Sequence, residues 1–173
     1  MGRGNRKQKK LARQQNNASG KYVPTVSPAA NGKTVPDTAT RDQSYREKLV
    51  RWTVSELDEN SGIDGCRWEL SSKETKELLT FLDDVSKKTW KECLTETVMS
   101  GRKKRPRNHD HTVSEIGKAA QARISQLPEA EERIFRFRLA SEVRLWGFRS
   151  GDLFRVLWYD PEHSVYPVSK RKT

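Results

Sequence analysis

Three sets of side chains in this sequence have types and spacings that do chemistry. His163 and Tyr166 stand three residues apart in Trp158-Tyr-Asp-Pro-Glu-His-Ser-Val-Tyr166. Imidazole titrates nearer neutrality than any other side chain, so His163 is the natural general acid or base, and Tyr166 can orient or donate a proton. Just upstream, Arg136, Arg138, Arg144 and Arg155 alternate with apolar residues. Guanidinium groups in that number suit an oxyanion, phosphate above all. The third set is His109-Asp-His111. Two imidazoles are too few for a zinc site and no third ligand follows at a sensible spacing, so the pair reads as an RNA contact or a helix cap and no metal is expected. The plainer alternative for His163 is a surface position in an Asp160-Pro161 turn, with Asp160 and Glu162 as solvated acids.

For the arginines to act together they must share a face, and the pattern around them decides whether they do. Residues 134–139, 143–148 and 153–158 alternate with period two and read as three strands of a meander. Ser150-Gly151 as a two-residue turn predicts Arg149 opposite Asp152, Gly147 opposite Phe154, Leu145 opposite Val156 and Val143 opposite Trp158. A three-residue loop, Ala140-Ser141-Glu142, predicts Leu139 opposite Val143, Phe137 opposite Leu145 and Phe135 opposite Gly147. A two-residue loop would set Phe137 against Arg144, so the apolar face selects the longer loop.

The four arginines then lie together on the other face, with Arg138 directly across from Arg144. Like charges so placed destabilise a sheet by roughly a few tenths of a kcal/mol, and a sheet built only for stability avoids them. The face therefore reads as a phosphate- and base-binding surface, with Trp146 and Tyr159 at hand for stacking. The ordinary alternative is a solvated face whose arginines pair with Glu69, Glu132 or Glu142.

Upstream elements must hold this sheet. Residues 49–57 and 66–70 read as short strands joined by a turn containing Gly62 and Asp64-Gly65. Ser71 with Glu74, Thr89 with Glu92 and Thr112 with Glu115 form three capping boxes. The first opens a helix ending near Lys87, the second a helix closed by Gly101, and the third a helix stopped by Pro128. The expected class is α+β: a small, mainly antiparallel sheet whose C-terminal three-stranded meander packs against two or three helices. Between the second and third helices, Arg102, Lys103, Lys104, Arg105 and Arg107 form a dense basic loop suited to phosphate contact or to simple solvation.

The chain has 173 residues, enough for one domain and a tail. Residues 1–44 contain scattered apolar side chains, three of seven prolines and a charge of +7 out of the total +11, which predicts a disordered basic tail. Residues 45–173 are expected to form the single domain. An excess of cations points to nucleic acid or the ribosome, by release of condensed counterions. No apolar run is long enough to span a membrane. Cys66 and Cys93 lack motif spacing and no signal-peptide core precedes them, so the protein reads as reduced and cytoplasmic. Phosphate-cradling and nucleophile-elbow motifs are missing, which disfavours ATP-driven and serine-hydrolase chemistry, and no cofactor is expected.

Over residues 129–167, the order of helices followed by FRFRLASEVRLWGFRSGDLFRVLWYDPEHSVYP resembles the RelE-type toxins of toxin–antitoxin pairs. The ending WYDPEHSVYP, with the stretches around Trp52, Trp68 and Trp90, also looks like small bacterial and phage proteins without assigned activity. The RelE resemblance implies an early strand and two helices on one face of the sheet. It also implies cleavage of messenger RNA on the ribosome through the RNA's own 2′-hydroxyl, with arginines stabilising the phosphorane. Arg144 matches that family's central-strand arginine, and His163 and Tyr166 loosely match its C-terminal proton carriers. An antitoxin protein is an implied partner. The rival expectation is a non-catalytic nucleic-acid-binding or phage accessory protein that uses the same basic face.

Overall fold

The computed structural model describes residues 45–166; the basic tail expected at 1–44 lies outside the described residues. Among the described residues the architecture is α+β, with a mixed five-stranded sheet, a separate two-stranded sheet and three α-helices. The strands are β1 (Arg51–Thr53), β2 (Thr97–Ser100), β3 (Lys103–Pro106), β4 (His109–Thr112), β5 (Arg133–Arg138), β6 (Arg144–Ser150) and β7 (Leu153–Asp160). The helices are α1 (Ser72–Ser86), α2 (Trp90–Thr95) and α3 (Lys118–Ile124). In the large sheet the order is β1-β7-β6-β5-β4, with β1 parallel to β7 and the other pairs antiparallel. No helix among the described residues is long and apolar enough to cross a membrane.

Alternation along the strands gives the sheet two buried faces. Phe135, Phe137, Leu145, Phe154, Val156 and Tyr159 meet Leu78, Leu82 and Val85 of α1 and Trp90 and Cys93 of α2. Ile134, Trp146, Phe148, Leu157 and Trp158 meet Ala120 and Ile124 of α3 on the other side. Both α1 and α2 begin at the capping boxes read from sequence, with Ser71 and Thr89 accepting the backbone N–H of Glu74 and Glu92.

The three-residue loop of the first hairpin is present: Leu139 N–H donates to Val143 O at 3.1 Å, and Phe135, Phe137 and Arg138 lie opposite Gly147, Leu145 and Arg144. The second hairpin corrects the expected register by two residues. Gly151 (φ +63°) and Asp152 form its turn, so Ser150 faces Leu153 and Gly147 faces Val156. A slip of two keeps the side chains from Leu153 to Leu157 on their expected faces. Past a bulge, however, Trp158, expected opposite Val143 on the apolar face, lies opposite Trp146, and Tyr159, expected on the arginine face, lies opposite Leu145. Beyond Gly147 a bulge restarts the pairing with Trp146 opposite Trp158, and Leu157 and Trp158 both enter the α3 side of the core. Gly147 is needed here because a Cβ would sit 2.1 Å from Arg155 O and 2.8 Å from the Phe154 ring.

Other expectations are corrected by local chemistry. The strand read over 49–57 is confined to Arg51–Thr53. Residues 66–70 form no strand; Arg67 N–H and the Trp68 indole N–H instead donate singly to Tyr159 O and Leu157 O. The α2 helix stops at Thr95, since Glu96 is extended and the β-branched Thr97 and Val98 start a strand. Gly101, φ +61°, therefore turns a hairpin instead of closing a helix, and the basic "loop" is strand β3. The third box opens only a 3₁₀ turn, Val113–Glu115, because Ile116 is extended and Gly117 N–H donates to Val165 O at 2.8 Å; α3 starts one residue later.

Candidate active site

Arg136, Arg138, Arg144 and Arg155 do share one side of the sheet, but that side is not an open basic surface. The α3 helix and the segment after β7 cover its middle, and the arginines divide into two groups. Arg155 is at one end, opposite Phe148, and donates to Glu56 (2.9 Å), Glu129 (3.1 Å) and Glu131. Three carboxylates around one guanidinium make a structural knot that leaves no unmet charge for a ligand.

At the other end the arginines have no such partners. Arg136 and Arg144 are 8% and 6% exposed, and neither forms an ion pair with a carboxylate among the described residues. The Nε atoms of both are buried and unbonded. Arg136 Nη2 reaches only Arg107 O at 3.5 Å and His109 Nδ1 at 3.4 Å. Arg144 donates to the carbonyls of Ala140, Ser141 and Val143. Arg138, half-buried, donates to the same Ala140 and Ser141 oxygens, so the loop carbonyls shield the two facing cations from each other. Burial, and then the neighbouring arginines, pulls both Arg136 and Arg144 down to about 10. A buried cation without a counterion is costly to a fold, and an incoming anion removes that cost.

Every histidine of the chain comes to this same end. Because His109 and His111 alternate along β4, opposite Arg136 and Ile134, they lie on the arginine side with ring centroids 4.5 Å apart. His111 also lies 4.8 Å from the Tyr166 ring and 5.4 Å from Trp146. Burial lowers both imidazoles to about 4, helped by Arg136 at His109 and by His109 and then Arg136 at His111. His163 is half-buried and is lowered by burial and then by Arg144 and Arg136. Its backbone has φ 60°, a left-handed conformation that a β-carbon disfavours and that recurs where a side chain is held for use.

Asp160 positions this histidine. Its fully buried carboxylate accepts the Trp146 indole N–H (3.1 Å), the N–H and hydroxyl of Ser164 (2.8 and 3.0 Å) and the N–H of Val165 (3.1 Å). The segment carrying His163 and Tyr166 is thereby tied to the sheet beneath it. Asp160 is thus a buried anchor, not a solvated turn acid. Trp146 and Tyr159, expected to stack on bases, are 0% and 2% exposed and present no face to a ligand; half-buried His109 and Tyr166 are the accessible rings.

Of the residues singled out from sequence, Arg136, Arg144, His163 and Tyr166 converge, Arg138 borders them, and Arg155 is elsewhere. Arg102, Lys103, Lys104 and Arg105 project on the β2–β3 hairpin, while Arg107 folds back onto Arg138 O and Leu139 O. Sequence reasoning missed that His109 and His111 join the site. Their i, i+2 spacing already implied one common face; what was missing was the strand that makes the spacing count. No group of three or more His, Cys, Asp or Glu among the described residues is arranged to hold a metal ion.

Imidazoles lowered by burial beside guanidiniums without carboxylate partners are chemically suited to meet an anion and then move a proton to or from it. Compared with protein-family models, curated proteins and solved structures, the chain has no match.

Proposed function

We propose that this protein is a cytoplasmic, RNA-directed endoribonuclease of RelE-like type, acting on messenger RNA by metal-independent transfer to the RNA's own 2′-hydroxyl. The observation that carries the reading is the meeting of His109, His111, His163 and Tyr166 with two buried arginines that lack carboxylate partners. A phosphodiester supplies the missing negative charge. Its arrival would raise the depressed imidazoles toward neutrality, where one accepts the 2′-hydroxyl proton and another group protonates the departing 5′-oxygen. Arg136 and Arg144 stabilise the charge that builds on phosphorus. An early strand with α1 and α2 on one sheet face also supports the RelE-like reading, under which an antitoxin protein would mask the site.

Induced expression of the wild-type chain should arrest growth, and purified protein should cut messenger RNA in chelator. Arg144→Ala and His163→Ala should relieve both effects. Retention of toxicity and cleavage by both variants would remove the assignment. RNA binding without cleavage by the wild type would leave the rival reading, a nucleic-acid-binding accessory protein.

A further inference from the structure

The β2–β3 hairpin stands apart from the five-stranded sheet. It pairs Val98 with Arg105, Met99 with Lys104 and Ser100 with Lys103, around the turn at Gly101 and Arg102. Arg102, Lys103, Lys104 and Arg105 are all exposed, and none is in an ion pair with a carboxylate among the described residues. Adjacent cations on one strand repel, and a lone two-stranded ribbon is marginal in water. The chain nevertheless anchors this ribbon firmly. Arg107 N–H donates to Glu96 O at 2.8 Å and its guanidinium to Arg138 O and Leu139 O. Asn108, buried, donates to Cys93 O at 3.0 Å and accepts from Arg138 N–H at 3.0 Å. The anchor is the end of β5 that sets Arg138 against Arg144. Four residues of extended chain place Arg105 within roughly 14 Å of His109.

We propose that the β2–β3 hairpin is an arm that grips the backbone of single-stranded RNA and leads it to the Arg136–Arg144 cluster. The proposal rests on the ribonuclease reading of that cluster. An exposed cationic ribbon contacts phosphates without reading bases, and the exposed Met99 opposite Lys104 adds an apolar contact for a sugar or base. Arg136 and Arg144 are 8% and 6% exposed, so a strand free of a duplex partner can bring a phosphate against them more closely than a duplex can, which favours a single strand. Phosphates on the arm lie outside the reacting bond. The arm therefore contributes to KM for long substrates and nothing to turnover of the shortest ones.

The test compares the full wild-type chain with a variant carrying Arg102→Ser, Lys103→Thr, Lys104→Thr and Arg105→Thr. Binding of a labelled single-stranded RNA of about 20 nucleotides is measured across a salt series; each lost phosphate contact makes the log–log slope shallower by about 0.7. The expected result is a slope shallower by about 2 to 3 and about tenfold weaker binding at physiological salt, with cleavage of a dinucleoside monophosphate unchanged. Arg102→Lys with Arg105→Lys should keep the wild-type slope, which separates charge from folding. A wild-type slope and affinity in the four-site variant would overturn the proposal, as would equally tight, arm-dependent binding of duplex DNA. If the slope falls as expected but the wild type cuts neither substrate, the arm stands and the ribonuclease reading fails.

Discussion

Arg136 faces His109 across the β4–β5 ladder, its Nη2 lying 3.4 Å from the imidazole Nδ1. At that separation a neutral ring accepts the guanidinium N–H, whereas a protonated ring would press one cation against another. Burial adds to the penalty, and His109 and its neighbour His111 are both held near 4. The fold thus keeps two imidazoles uncharged beside two buried cations, which makes anion binding and protonation one linked event.

Stability should fall with acid before the carboxylates titrate. A histidine lowered in the folded state binds its proton more readily when unfolded, so its contribution is complete above about pH 6.5 and is lost as pH falls toward 4. For His111, which is largely buried, the loss is on the order of 3 kcal/mol. Urea titrations at a series of pH values should show the decline, and His111→Phe should flatten it. An unchanged slope in that variant would mean that the acid sensitivity arises elsewhere.

Arg136→Met should abolish RNA binding in the cluster while leaving thermal stability equal or higher. The native side chain is buried with only two long contacts, at 3.5 and 3.4 Å, so an apolar replacement of similar length removes a desolvation cost and little bonding. No change or a gain of about 1 kcal/mol is expected from thermal or denaturant melts. A large loss of stability would assign Arg136 to the fold instead of to a ligand.

The opposite outcome is expected one end of the sheet away. Arg155→Ala leaves Glu56, Glu129 and Glu131 crowded without their shared cation. About 2–4 kcal/mol of stability should be lost, less than for a wholly buried group because Glu129 is largely exposed. Cleavage per folded molecule should persist. A stable Arg155→Ala protein with no activity would place this residue in the site after all.

Asp160→Asn tests the anchor. The new amide sets N–H against N–H where the carboxylate had accepted four bonds, so the segment holding His163 and Tyr166 should loosen. Amide exchange at Ser164 and Val165 should accelerate, turnover should fall at least tenfold, and binding of long RNA through the hairpin should change little. Slow exchange at those amides together with full turnover would show that the carboxylate is dispensable.

The first hairpin of the meander was legible because Phe137 cannot face Arg144 without reversing a whole strand, whereas the second was read two residues off because a slip of two leaves alternation intact and so gives no signal. The α1 and α2 starts were equally legible, since Ser71 with Glu74 and Thr89 with Glu92 are satisfied locally. Less visible was what depends on distant partners. Lys103–Pro106 has almost no strand propensity of its own, and only pairing with Thr97–Ser100 and the Asn108 anchor makes it extended. Losing β3 from the sequence reading also lost β4, and with it the alternation that places both His109 and His111 beside Arg136. The bulge that puts Leu157 and Trp158 on one side had no sequence signal beyond Gly147.

The parallel pairing of β1 with β7 joins Arg51 to Leu153, residues separated by most of the described chain. The Glu56–Arg155 and Asp58–Trp158 links close over the same span. Because contacts this remote form late, the nascent polypeptide cannot complete its sheet, or seat the histidine loop that follows β7, until its final strand has been translated.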